Sequence, residues 1–475
     1  MSVDDVLRHA RGNFGRHVAQ LKAFIAHPSV SSAPAHRCDV RRCAAWLAAQ
    51  LRATGLRDAR VVATGGHPLV FASWRGAPGR PTLLIYGHYD VQPAEPLAAW
   101  ASPPFVATLR GQDLYGRGAC DDKGQLLAFV AALQAWLQRR RCLPVNVLCL
   151  FEGEEEIGSP HLMPFVRRHR RALGCDLVAM ADSVMGPGER PAVIYGMRGM
   201  LGMELELRGP RRDLHSGSFG GIVHDPLQAL CELLARLHDD AGHIAIPGFY
   251  ERVRRVVDAE REALRRAAPT DADMRRTAAV ERDWGEAGWS MYERLALRPA
   301  LTLNGLAGGH GGAGIKGVIP ARALAKLSFR LVPDQDPREI ERLFRRRVAT
   351  LVPSTVHATL RTLSMARPAT MDPRHPALSA AARACERAFD LPPALLRSGG
   401  TIPAMHGFQA ELGVPVVAFG FAPTDGGLHA PDEKFHLPTF GKAIAALILW
   451  LDALAPRPGG DVARLASRPR CEVTS

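Results

Sequence analysis

Four separated segments of this 475-residue chain carry histidine and carboxylate side chains that could hold metal ions. They are Gly87-His88-Tyr89-Asp90, the stretch from Gly116 to Gly124 with Asp121-Asp122, the stretch from Glu152 to Ser159 with Glu154-Glu155-Glu156, and Gly427-Leu428-His429-Ala430. A fifth piece, Ala181-Asp182-Ser183, lies between the third and the fourth. Imidazole and carboxylate groups at strand ends suit divalent zinc or manganese. Together the set supplies two imidazoles and three carboxylates as ligands, with Asp90 and one glutamate to spare. A carboxylate shared by two cations gives a hydrolytic centre in which one metal polarises a carbonyl and both acidify a bridging water. A spare glutamate near that water is a general base.

Each piece alone has a blander reading. His88 and Asp90 fall on the same side of an extended strand end, so Asp90 can accept the ring N–H that a ligating His88 leaves free; the pair could also sit in a surface turn. Asp121-Asp122 precedes a helix and could be a cap. Glu154-Glu155-Glu156 could be a solvated acidic loop, but it directly follows a buried strand, where crowded like charges are costly without a cation or a proton.

The elements that must position these residues are legible in the pattern. Residues 14–55 carry apolar side chains at helical spacing and predict two helices. Val61-Val62, Leu69 to Ala72, Thr82 to Tyr86, Val145 to Phe151, Asp176 to Met180 and Val414 to Phe421 read as strands. Several are continuous apolar runs, as in strands buried on both faces. Gly124 to Leu137 reads as an amphipathic helix. Strand, site, helix, strand, site is the signature of a mainly parallel sheet with helices on both faces, and ligands bind at its carboxyl edge.

The pattern changes after Arg198. Met200 to Leu207, Ala323 to Leu331 and Val356 to Leu363 alternate apolar and polar residues, and 225–267, 337–351 and 376–390 read as helical. The expectation is a discontinuous α/β catalytic domain, residues 1–198 and 368–475, interrupted by an α+β insertion over 199–367. The tail from Pro456 to Ser475 is rich in Pro, Gly and Arg and reads as disordered.

Bulk numbers exclude other classes. No apolar run near 18 residues is free of charge, so no membrane span is expected. The first residues are acidic and polar, unlike a secretory signal. Nine cysteines, an odd number without tight pairing, fit a reducing compartment such as the cytoplasm. Cys120 reads as a small packed residue. The net charge of +13 raises a nucleic-acid reading. The clusters Arg139 to Arg141, Arg167 to Arg171 and Arg345 to Arg347 fall on helical patterns without interleaved aromatic residues, so solvated helix faces are expected instead.

Taken as a set and in this order, the segments resemble the dinuclear zinc metallopeptidases that include carnosinase-like dipeptidases, glutamate-releasing carboxypeptidases, aminoacylases and desuccinylases. The resemblance runs from about residue 14 to residue 450. It implies a phosphorylase/hydrolase-like catalytic domain with an inserted lid and dimerisation domain. It implies that His88 and Asp182 bind one metal, Glu156 and His429 the other, and that Asp121 bridges both. Asp90 would orient His88, and Glu155 would be the general base. A cis peptide would join Asp121 to Asp122. Two divalent ions per subunit follow, zinc first, with manganese or cobalt as alternatives.

Within the insertion, Asp213-Leu214-His215-Ser216-Gly217 resembles the segment whose His reaches the partner subunit's active site of a homodimer and stabilises the oxyanion. Lys316 to Pro320, followed by Phe329-Arg330-Leu331, resembles the stretch whose Arg grips the substrate carboxylate. Ser398-Gly399-Gly400-Thr401 resembles the loop lining the substrate pocket. Asp182 and Asp122 look like the dipeptidase branch. Gly317 replaces the Thr usual in carnosinase-like enzymes, and Ser364 to Pro368 lacks their His, which argues against carnosine itself. Hydrolysis of unblocked dipeptides or short peptides is therefore expected. The alternative is an N-acyl- or N-carbamoyl-amino-acid amidohydrolase on the same scaffold. A non-catalytic scaffold protein would be expected to have lost Glu155, His215 or Arg330.

Overall fold

The computed structural model describes residues 2–455, so the expectation for Pro456 to Ser475 lies outside the described residues. The chain divides into two compact units. The first comprises residues up to Tyr195, Met371–Leu396 and the chain from Gly407 onward; the second comprises Gly196–Thr370 and Arg397–His406. The short segment Arg397–His406, placed with the flanking domain in the sequence reading, thus packs with the second unit.

The first unit is built on a sheet with the strand order Arg60–Val62, Leu69–Trp74, Asn146–Glu152, Thr82–His88, Leu177–Ala181, Val416–Gly420, Ala192–Met197. Its four middle strands, from Asn146–Glu152 to Val416–Gly420, are parallel. The neighbours on either side pair antiparallel. These middle strands are the apolar runs of the sequence, and they are buried on both faces. Register shows why. Tyr86, Met180 and Ala418 are in line and share one face, where the Tyr86 ring meets Phe408 edge-on at 5.2 Å. Phe419 points to the other face and meets Phe129 and Trp450 at 6.3 and 5.0 Å. Helices therefore cover both faces: Pro403–Leu412 supplies Phe408, while Lys123–Arg140 and Leu437–Leu454 supply Phe129 and Trp450.

The helix Leu437–Leu454 is long and apolar enough to cross a membrane, yet it packs on Lys123–Arg140 and Pro376–Phe389 and is mostly buried. The helix Lys123–Arg140 is buried almost all round. Its second residue must be glycine: a Cβ at Gly124 would lie 2.1 Å from the Ala119 carbonyl oxygen and 2.4 Å from the Phe435 ring.

The second unit is a four-stranded antiparallel sheet in the order Ala300–Gly308, Arg322–Leu331, Gly199–Arg208, His357–Ala366. Leu201, Met203, Leu205 and Leu207 alternate onto one face and are fully buried with Leu327, Phe329 and Phe344. Helices Pro226–Ala235 and Pro337–Leu351 pack on this sheet. Both open with Asp-Pro. The Asp225 and Asp336 side chains accept from Leu227 N and Arg338 N, and proline occupies the first turn, where no N–H is needed. The expected helix over 225–267 is two helices, Pro226–Ala235 and Asp258–Ala267. Gly242 and Gly248 in the connection have φ of +80° and +84°, which no helix accommodates.

Candidate metal centre

All four parallel strands of the first unit end at the same edge, and each is followed by acidic or histidine-bearing residues. Thr82–His88 ends on His88. Asn146–Glu152 leads to Glu154-Glu155-Glu156, Leu177–Ala181 to Asp182, and Val416–Gly420 to the loop with His429. Asp121 arrives from the turn before the helix Lys123–Arg140.

These side chains converge in two groups, His88 with Asp121 and Asp182, and Asp121 with Glu156 and His429. In each, one potential ligand atom per residue lies within 4.8 Å of the others. Asp121 belongs to both. Its Oδ1 is 3.2 Å from His88 Nε2, and its Oδ2 is 3.0 Å from His429 Nε2. Asp182 Oδ2 lies 3.8 Å from His88 Nε2, and Glu156 Oε2 lies 3.4 Å from His429 Nε2. The Asp121–Asp122 peptide is cis.

Asp90 is tied to both sides of the cluster. His88 Nδ1 faces the Asp90 carboxylate at 3.4 Å and its backbone oxygen at 3.1 Å. The same carboxylate accepts from the backbone N–H groups of Glu155 and Glu156 at 3.2 and 3.1 Å. Asp90 thus fixes an imidazole and the acidic loop together. The cap reading of Asp122 fails on geometry: its side chain makes no cap bond and accepts from His88 N at 3.2 Å.

The three glutamates divide by environment. Glu154 is buried and accepts from His67 N at 2.8 Å and pairs with His161 Nδ1 at 2.7 Å. Glu156 accepts from Gln92 at 2.8 Å and faces His429. The Glu155 carboxylate accepts no hydrogen bond among the described residues, which leaves its oxygens open to take up a proton.

Electrostatics describes a site short of positive charge. Burial raises the Glu155 pKa well above the ordinary range; His88 opposes this, while Asp182 and Glu156 add to it. Burial and the Asp121 charge push Glu156 up to about 7. Asp122 is raised by burial and Asp182. Asp121 goes the other way: hydrogen bonds from His429 and His88 overcome its burial and hold it well below the usual carboxylate range. His88 is held well above its ordinary value, because Asp121, Asp182 and Asp90 together outweigh its burial. Carboxylates that favour a proton on a buried imidazole favour a divalent cation between the same atoms. Nitrogen and oxygen donors, with no thiolate among them, fit zinc, manganese or cobalt. Cys120 stands apart, with its Sγ 3.8 Å from the Gly426 oxygen and its thiol pKa raised by burial.

Two residues escaped the sequence reading. Glu433 is fully buried, and its carboxylate accepts from Gly118 N at 2.8 Å, Cys120 N at 2.9 Å and Asp121 N at 3.0 Å. Arg117, 1% exposed, donates to Glu433 Oε2 at 2.8 Å. The Asp121 turn is thereby moulded around a carboxylate that follows His429 by four residues. The only signal was an acidic residue beside a histidine motif and an Arg between two glycines.

The residues expected in the insertion stand in the second unit. Leu214–His215 pairs antiparallel with Val318–Ile319, bringing the Asp213 to Gly217 and Lys316 to Pro320 segments together. The His215 side chain is exposed, and its Nδ1 accepts from Gly217 N at 3.1 Å. Arg330 donates to Thr401 Oγ1 at 2.8 Å, so the loop Ser398 to Thr401 and the end of Arg322–Leu331 do meet.

Comparison with known proteins gives one consistent result. The description "Peptidase family M20/M25/M40" matches residues 84–453. The Cys-Gly metallodipeptidase dug1 of Schizosaccharomyces pombe is 29% identical over 96% of this chain and 99% of its own length. The crystal structure of human carnosine dipeptidase 1 superposes with a TM-score of 0.79 at 30% identity, covering 96% of this chain and all of that one. An M20 metallo-carboxypeptidase from Sulfolobus solfataricus superposes with a TM-score of 0.85 at 30% identity, covering 92% and 99%.

Proposed function

The chain belongs to peptidase family M20/M25/M40 and is a metallopeptidase, and from that premise we propose that it hydrolyses unblocked dipeptides on a dinuclear centre bridged by Asp121. The observation that carries this reading is the Asp121 carboxylate spanned by two imidazoles, one on each oxygen. His88 and Asp182 would hold one cation, and Glu156 and His429 the other. Zinc is the first candidate by affinity. Cations bound there would polarise the scissile carbonyl and acidify the attacking water.

The protein's own residues do the rest. Glu155, with no hydrogen-bond donor on its carboxylate among the described residues, takes the proton from the attacking water and delivers it to the leaving amine. Asp90 keeps the His88 ring oriented and fixes the backbone that carries Glu155. His215 would donate to the developing oxyanion in a partner subunit, and Arg330 with the Gly399-Gly400-Thr401 loop would receive the substrate carboxylate. Both roles come from the family resemblance, and the first entails a homodimer formed through the insertion, residues 199–367, acting as lid. Free cysteines among the described residues support a reducing, cytoplasmic setting.

A mixed panel of free dipeptides and N-acylated amino acids, with products identified by mass spectrometry, tests the reading. Two free amino acids from unblocked dipeptides are expected. Cleavage confined to N-acylated substrates would make the protein an amidohydrolase. Trans action of His215 has its own test. Mixing inactive His215→Ala and Glu155→Gln chains should restore part of the activity through hybrid dimers; none despite demonstrated subunit exchange would refute it.

A further inference from the structure

Arginines of the second unit are mostly paired with acids. Arg298 meets Glu286 at 2.5 Å, Arg397 meets Glu260 at 2.6 Å, and Arg254 meets Asp334 at 2.7 Å. Arg198 and Arg330, like the half-buried Arg347, have no carboxylate partner among the described residues, but they alone of these share a hydroxyl partner. Arg198 is only 7% exposed. It donates Nε to the Gly399 oxygen at 3.0 Å and Nη1 to the Arg298 oxygen at 3.3 Å, both neutral acceptors. Arg330 is half-buried and donates to Thr401 Oγ1. The same hydroxyl donates to the Arg198 backbone oxygen at 2.7 Å, so one threonine ties the two arginines together. In the sheet register Arg330 lies opposite Met200, two residues beyond Arg198. Burial and the Arg330 charge lower the Arg198 pKa to about 10, so the two guanidinium groups work against each other.

A buried cation without a counter-ion is costly, and two neighbouring ones more so. Neutral carbonyls orient a guanidinium but do not balance its charge. What balances two forked donors is a planar anion with two acceptor oxygens, a carboxylate. Arg198 also lines a cavity of about 260 Å³ with Ile244, Trp284, Leu295 and the Glu286–Arg298 ion pair.

We propose that Arg198 and Arg330 together receive the free carboxylate at the C-terminal end of the substrate, with Arg198 as a specificity-determining residue. The family resemblance implies this role for Arg330 alone. The proposal rests on the dipeptidase reading.

The test uses the metal-loaded protein and a dipeptide analogue whose amide is replaced by CH2–NH, prepared as the carboxylate and as the carboxamide. Calorimetry should show the carboxylate form binding about 10- to 100-fold more tightly, the usual worth of hydrogen bonds to a charged group. Arg198→Gln should lose most of that preference while carboxamide binding changes by less than about 3-fold. Arg198→Lys, which keeps the charge but not the fork, should lose about 10-fold. Equal weakening of both forms in Arg198→Gln would make Arg198 a support for the Gly399 loop only and would overturn the proposal. If Arg198→Gln does not fold, an unchanged preference in Arg198→Lys has the same force. Hydrolysis of the parent dipeptide is followed in parallel. Preference without hydrolysis removes the dipeptidase reading and leaves the receptor; hydrolysis without preference does the reverse.

Discussion

Two regions of the molecule carry unbalanced charge, with opposite sign. At the carboxyl edge of the first unit's sheet, Asp121, Asp182, Glu155 and Glu156 crowd around two imidazoles, and the pKa values of Glu155 and Glu156 are driven upward. In the second unit, Arg198 and Arg330 meet only neutral acceptors among the described residues. Elsewhere the same chain shows how a buried charge is normally settled: Arg117 and Glu433, 1% and 0% exposed, pair at 2.8 Å. Pairing is not universal, since the fully buried Lys123 donates only to the Phe24 and His27 oxygens among the described residues; Arg198 and Arg330 differ from it in being two cations side by side. The acidic region waits for cations and the basic one for a carboxylate.

That contrast can be broken in graded ways. The largest effect should come from removing the cations. Exhaustive chelation should lower dipeptide hydrolysis by at least about 10⁴-fold, several kcal/mol of carbonyl and water activation at 1.36 kcal/mol per decade; re-addition of zinc or manganese should restore it. Glu155→Gln comes next, because it leaves the ligand set intact and removes only the proton acceptor. A loss of about 10²–10⁴ in kcat with full metal content is expected, and a near wild-type rate would exclude Glu155 as the base. Asp90→Ala should then weaken metal binding by about 10- to 100-fold, read by competition with a chromogenic chelator. Glu433→Gln sharpens the comparison from the settled side. It turns Arg117 into a buried unpaired cation and should cost about 3–5 kcal/mol in denaturant unfolding, the usual penalty for breaking a buried pair. If stability is unchanged, a buried unpaired arginine is tolerated here, and Arg198 needs no anion.

The sequence was most legible where a local pattern had one solution. Thr82 to Tyr86 could be nothing but a doubly buried strand, and its end had to present His88. The metal segments could be read only as an ordered set, because each alone has a blander reading and the ligand roles follow from the family resemblance. Glu433 could not be read that way: its meaning lies in the backbone N–H of Asp121, 312 residues distant. Strand Ala300–Gly308 was missed because its register shifts between Leu303 and Gly305, which breaks the alternation that marks a strand. Arg397–His406 joins the second unit through hydrogen bonds on its backbone oxygens, from Arg198 N to the Ser398 oxygen and from the Tyr292 hydroxyl to the Arg397 oxygen, partners that no local signal announces.

The central claim, that one aspartate joins two cations, is tested most directly by the metal content of purified wild-type and Asp121→Ala protein after zinc loading and desalting. Two ions per wild-type chain, and loss of both together in Asp121→Ala, are predicted. One ion per wild-type chain, or two retained in the variant, would contradict the account.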